Sequence, residues 1–160
     1  MHISDTGLNL IRSFEGCRLT AYRCPAGVWT IGYGHTLGVK AGDTITTKQA
    51  IEYLESDIAK YENMINAYDK QYHWTQNEFD ALVSFAFNIG NITGLTGAGS
   101  RSKTVIAEKI LLYNRANGTI LPGLVRRRQA EHDLFVGPVP VVPKKTTKKV
   151  AKKPKNAEIK

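Results

Sequence analysis

One side chain near the N-terminus, Glu15, is of a type and in a place to do acid chemistry, and a thiol and a hydroxyl follow it in the next stretch of chain. The three residues are Glu15, Cys24 and Thr30, with eight residues between the first two and five between the second pair. A carboxyl group that still holds its proton near neutral pH can pass it to a leaving oxygen. Glu15 has two reasons to hold a proton. It falls at the end of a helical pattern, where the macrodipole is negative and opposes another negative charge. Phe14 and Trp29 could add desolvation, which raises a carboxyl pKa. From these residues alone, a solvated glutamate at a helix end stays open as an alternative. So does Cys24 as a small hydrophobe in a turn.

The elements that must position these groups are legible in outline. Ser4 or Asp5 can cap a first helix whose apolar residues Leu8, Leu10, Ile11 and Phe14 recur at steps of three and four, with Gly16 as its stop. Leu19–Tyr22 reads as a strand and Cys24-Pro25-Ala26-Gly27 as a turn. From Val28 to His35 the chain alternates, with Trp29, Ile31 and Tyr33 on one face and Thr30 on the other. Thr46-Thr47-Lys48-Gln49 and Thr75-Gln76-Asn77-Glu78 are capping boxes. The first opens a helix with Ile51, Leu54, Ile58, Tyr61 and Ile65 as its buried stripe. The second opens a helix with Phe79, Leu82, Val83 and Ala86 on one face. Glycines at 90, 94, 97 and 99 break the pattern. Shorter helices are expected over 103–116 and 124–135.

Composition bounds the rest. Of 160 residues, 42% are hydrophobic and 22% charged, as in a globular chain. The net charge is +8, but eight lysines and one acid fall within 137–160. The remainder is close to neutral. We therefore expect a domain over 1–136 and a basic, Pro- and Lys-rich flexible tail over 137–160. The tail has no aromatic residue to stack on bases, so specific nucleic-acid binding is not expected. Contact with an anionic envelope is. Cys17 and Cys24 are too few for a disulfide framework. The first residues lack the pattern of a signal peptide, and no stretch reaches the length needed to span a bilayer. Synthesis in a cytoplasm, with reduced thiols, is expected. The four histidines show no ligand spacing, so no metal and no cofactor are expected.

Phe14-Glu15-Gly16, Cys24 and Val28-Trp29-Thr30-Ile31-Gly32-Tyr33-Gly34-His35-Thr36 resemble the active-site region of phage-type lysozymes of glycoside hydrolase family 24. That family carries Glu, eight residues, Asp or Cys, five residues, Thr. The resemblance continues through Ser84-Phe85-Ala86-Phe87-Asn88-Ile89-Gly90 and through Leu121–Glu131. It covers roughly residues 4–136. It implies an α+β, lysozyme-like fold: mostly helical, with a small antiparallel sheet in an N-terminal lobe and a helical C-terminal lobe.

The resemblance also implies a function. The chain would hydrolyse the β-1,4 bond between N-acetylmuramic acid and N-acetylglucosamine in bacterial peptidoglycan, as a monomeric phage endolysin that reaches the wall through a separate pore protein. Glu15 would be the general acid, and Thr30 would help hold the water. Cys24 stands where the family commonly has Asp, so inversion and retention both stay open. Tyr33, Gly34, Asn88 and Arg127 would line the substrate cleft, while the Arg126–Arg128 run reads equally as a solvated helix face. His35 resembles a family histidine with a structural part. One departure is Tyr113, where the family has Trp. A non-catalytic peptidoglycan-binding module on the same fold is the alternative, with intact Glu15 and Thr30 against it.

Overall fold

The computed structural model describes residues 1–138; the expected tail lies outside the described residues beyond Pro138. The elements run α1 (Asp5–Phe14), β1 (Arg18–Arg23), β2 (Trp29–Gly32), α2 (Thr47–Asn66), α3 (Asp69–Tyr72), α4 (Gln76–Ile89), α5 (Thr93–Thr96), α6 (Lys103–Ile110), β3 (Arg115–Ala116), β4 (Thr119–Ile120) and α7 (Pro122–Val136). The mostly helical chain carries two small antiparallel hairpins, β1–β2 and β3–β4.

Both capping boxes form. The Thr46 side chain accepts from the Gln49 amide at 3.1 Å while Gln49 accepts from the Thr46 amide at 2.9 Å. Thr75 and Glu78 repeat the exchange. Helix α2 then runs twenty residues, about 30 Å at the α-helical rise. It packs on β2 and on α4, so it ties the first hairpin to the helical body.

Helix α4 is buried on nearly every side, with Asn77 and every residue from Phe79 to Ala86 buried. The single apolar face read from the sequence understates it. A helix enclosed all round is central to a core, and α1, α2 and α7 all pack on it. Ser4 heads α1 without capping it: its amide and hydroxyl both donate to the Asp80 carboxylate of α4.

Three boundaries differ from the sequence reading. Strand β2 stops at Gly32, and residues 30 to 33 are all buried, so the expected in–out alternation does not hold. Gly32 lies against Ala50 of α2, and Ile31 and His35 exchange both backbone hydrogen bonds at 2.9 Å. That tight turn needs the positive φ of Gly32 (63°) and Gly34 (95°). The helix expected over 103–116 ends at Ile110. Asn117 and Gly118 follow it, with φ of 50° and 77°, the turn chemistry that closes a two-residue hairpin. Helix α7 starts at Pro122, two residues earlier than expected, with proline in the first turn where its missing N–H costs nothing.

The seam between α4 and α7 buries charge. Arg127 is 4% exposed, and Arg128 and Glu131 are fully buried. Glu131 Oε1 accepts from Ser84 Oγ at 2.7 Å and from Arg127 Nε at 3.1 Å. Its Oε2 lies 3.2 Å from Arg128 Nη1, an ion pair without hydrogen-bond alignment. Arg128 Nη2 donates to Asn88 Oδ1 at 2.6 Å, and its guanidinium lies over the Phe85 ring. Burial pushes the Glu131 carboxyl up and the two guanidiniums pull it back. Burial is the larger effect, so the carboxyl stays above its ordinary pKa despite those contacts.

Two stability outcomes follow from this packing. A Cβ added at Gly7 would meet Ile3 Cγ1 at 2.6 Å and Asp80 Cβ at 2.8 Å, because α1 crosses α4 closely there. Gly7→Ala should therefore lower stability by about 1–3 kcal/mol, reversing the gain that alanine brings inside an open helix. Chemical denaturation reads the sign, and a stabilised variant would contradict the close crossing. Glu131→Gln keeps the shape of the seam but leaves its arginines short of a counter-charge. Its unfolding free energy should fall by about 3–5 kcal/mol; a change within error would mean the charges are not coupled.

Candidate active site

Glu15 is the residue at which α1 ends. Its backbone is extended (φ −93°, ψ 129°) while its N–H still donates to Ile11 O. The side chain therefore leaves the helix line at a fixed point. Arg127 Nη1 donates to its Oε1 at 2.6 Å. The same guanidinium donates through Nη2 to Ser84 O at 3.2 Å and through Nε to Glu131, and it lies over the Phe14 ring. One planar fork thus joins the end of α1 to both α4 and α7, which a lysine could not do. Of the Arg126–Arg128 run, only Arg126 is a solvated residue; Arg127 and Arg128 are buried. The desolvating surround expected for Glu15 is different in kind: its side chain is 26% exposed and faces a guanidinium, while Trp29 lies under Arg23.

Glu15 lies on the wall of a cleft of about 360 Å³. Tyr33, Gly34 and Asn88 share that wall, and Arg127 meets it only through its bond to Glu15. Thr36, Asp57, Lys60, Tyr61 and Phe87 complete it. Tyr61 and Phe87 meet edge to face at 5.8 Å, and Tyr33 OH accepts from Arg12 Nε at 3.0 Å. His35 is a structural residue: its Nδ1 lies 2.9 Å from Asp57, its Nε2 lies 3.0 Å from Leu37 O, and its ring stacks on Tyr53. That arrangement ties the Gly32–Gly34 turn to α2. Two cleft residues on α2, Asp57 and Lys60, had no assigned part in the sequence reading, and Tyr61, read there as part of the buried stripe, faces the cleft beside them. Their spacing of i, i+3 and i+4 was the available signal, since it puts them on one helical face.

Cys24 and Thr30 are brought together by the β1–β2 hairpin, outside that cleft lining. Thr30 pairs with Tyr22 across the strands, and the Cys24 amide donates to Val28 O at 3.0 Å. Thr30 is 3% exposed, and its Oγ1 donates to Val28 O at 3.0 Å. The Val28 backbone amide, followed by weaker help from Ala26 and the Thr30 hydroxyl, pulls the Cys24 thiol below its ordinary pKa. Thr30 has one hydroxyl proton, so it can serve Val28 O or the Cys24 sulfur, one at a time. Cys17 and Cys24 are both free thiols. Among the described residues no cluster of His, Cys, Asp and Glu has the form of a metal site, and no helix is long and apolar enough to cross a membrane.

This chain is similar to an endolysin of Lactococcus phage c2, 51% identical over 142 residues, which cover 87% of this chain and 62% of that relative. It therefore spans less than two thirds of that protein's length. An endolysin of Acyrthosiphon pisum secondary endosymbiont phage 1 is 44% identical over 145 residues, covering 84% of this chain and 98% of the relative. Among solved structures, the muramidase domain of SpmX from Asticaccaulis excentricus superposes with a TM-score of 0.75 at 37% identity, covering 86% of this chain and all of that domain. The family model for phage lysozymes matches residues 12–131, a span that takes in Glu15, the hairpin with Cys24 and Thr30, and the buried α4–α7 seam: the chain belongs to the phage lysozyme family.

Proposed function

We propose that the chain is a muramidase that hydrolyses the β-1,4 bond between N-acetylmuramic acid and N-acetylglucosamine in bacterial peptidoglycan, acting as a monomeric endolysin. The observation that carries this reading is the Glu15 carboxyl held by one oxygen on buried Arg127 beside a cleft walled by Tyr33, Tyr61 and Phe87. Aromatic edges and faces suit the apolar faces of sugar rings. Hydroxyl and amide groups of Tyr33, Thr36 and Asn88 suit their hydroxyls and acetamides.

Arg127 engages Oε1, which leaves Oε2 for the glycosidic oxygen. A glycan seated there displaces water, and Glu15 delivers its proton to the departing sugar oxygen. On the other face of the sugar, Cys24 and Thr30 organise the attacking water. The lowered thiol pKa gives Cys24 more thiolate at neutral pH than an ordinary cysteine, so it can accept the water's proton as an aspartate would. Attack by water inverts the anomeric centre. The non-catalytic alternative has no observation in its favour.

The reading extends to place and tail. Synthesis occurs in the cytoplasm, and a separate pore protein admits the enzyme to the wall. Residues 1–136 form the catalytic domain. The lysines beyond it draw the enzyme to the anionic envelope, an attraction screened by salt.

Activity on purified peptidoglycan tests the core of this. Glu15→Gln should lose about 10²- to 10⁴-fold in turnover; full activity would overturn the assignment. Cys24→Ser should lose less and still give inverted product. A dead Cys24→Ser with retained wild-type product would instead mean a covalent thiolate. In a Cys17→Ser background, alkylation of Cys24 should have its pH midpoint below that of an ordinary thiol. Removing residues 139–160 should reduce lysis of whole cells at low salt while sparing cleavage of soluble glycan; equal losses on both would remove the role given to the tail.

A further inference from the structure

The two carboxylates of the cleft are each bonded to a partner other than its one lysine. Glu15 is paired with Arg127 at 2.6 Å. Asp57 turns both carboxylate oxygens to His35 Nδ1, at 2.9 and 3.1 Å. Lys60 is the remaining charged residue of the lining and its one basic residue. Among the described residues no carboxylate lies within salt-bridge distance of Lys60; its ammonium sits 4.8 Å from the Tyr61 ring centre, beside the aromatic wall. An ordinary surface lysine is solvated and reads nothing. This one is anchored by an aromatic face at the edge of the cleft that holds the candidate acid.

We infer that Lys60 is a specificity-determining residue that binds a carboxylate carried by the muramyl side of the glycan. The inference rests on the muramidase reading above. N-acetylglucosamine has no ionised group. The muramyl sugar carries a lactyl carboxylate, or, where that group is amide-linked to a stem peptide, the carboxylates of the peptide. A cation three residues along α2 from Asp57 and adjacent to Tyr61 lets the cleft distinguish one sugar from the other and so favours one register of the alternating strand. Asp57 turns its carboxylate to His35 and makes no ion pair with the ammonium, and the exposed head group keeps a flexible stem with which to reach.

Binding and turnover together test this. In the full chain carrying Glu15→Gln, calorimetry at low salt would compare three probes: an alternating muramyl tetrasaccharide with free lactyl carboxylates, its methyl ester, and the same strand bearing stem peptides. Lys60→Met should weaken binding of a carboxylate-bearing probe by about two- to five-fold, the scale of an exposed ion pair. Lys60→Arg should retain it, and the ester should be unaffected. A loss on the free-acid strand assigns the lactyl group; a loss confined to the peptide-bearing strand assigns the peptide. In the active chain the same change should appear in KM, with kcat nearly unaltered. Lys48→Met, elsewhere on α2 and 87% exposed at its side chain, should change nothing. The inference is overturned if Lys60→Met weakens acid and ester alike, weakens neither acid probe, or is matched by Lys48→Met. Lysine-dependent binding without any cleavage by the wild type would sink the muramidase reading alone; no binding of any probe would sink both.

Discussion

Two arginines buried side by side on one helix need two negative charges close at hand, and much of this protein is arranged to supply them. Arg127 and Arg128 enter the seam between α4 and α7, where an unpaired charge is very costly. Glu131, one turn further along α7, satisfies part of the demand. The end of α1 brings a second carboxyl group, that of Glu15, onto Arg127. The candidate acid is therefore a member of the core's charge balance as well as of the cleft. Its position follows from the packing of three helices, not from the flexibility of a loop.

That constraint explains why the first helix is held so firmly at both ends. At its start, Ser4 bonds Asp80 through backbone and side chain. In its first half, Gly7 permits close approach to α4. At its finish, the chain turns extended at Glu15 and the carboxyl meets Arg127. Preorganisation of this sort suits an acid that must stay within hydrogen-bond reach of a bond being broken. The hairpin next to the cleft is built differently. The hairpin carrying Cys24 and Thr30 is a two-stranded element, steadied by α2 through Gly32 and through the His35–Asp57 pair. The acid depends on a buried charge network, and Cys24 and Thr30 on a short hairpin leaning on a long helix.

Local chemistry was legible from the sequence wherever one stretch of chain contained the whole cause. Both capping boxes form where their four residues predict, because the donors and acceptors involved lie within one turn. The apolar period that stops at Gly16 and the turn chemistry of Cys24-Pro25-Ala26-Gly27 mark a helix end followed by two strands and a turn, and those elements are present. Tyr33, Gly34 and Asn88 lie on one cleft with Glu15. Failures occurred where a local signal was outweighed or overlooked. Strand alternation gave way at β2 because packing covers both of its faces. The Asn117-Gly118 turn lay inside an expected helix, although its chemistry favoured a hairpin.

What the sequence determined alone is the set of groups that can do chemistry, their order, and the elements whose hydrogen bonds close within a few residues. Tertiary structure decided what surrounds them. An Arg-Arg-Arg run reads as a solvated helix face until a neighbouring helix buries two of its members. An acid at a helix end reads as one desolvated by aromatic neighbours until a guanidinium from more than a hundred residues away takes hold of it. Lys60 reads as one more surface cation until the cleft around it proves to have its carboxylates already engaged. Burial and charge pairing depend on which distant segments meet in space, and no local pattern carries that information.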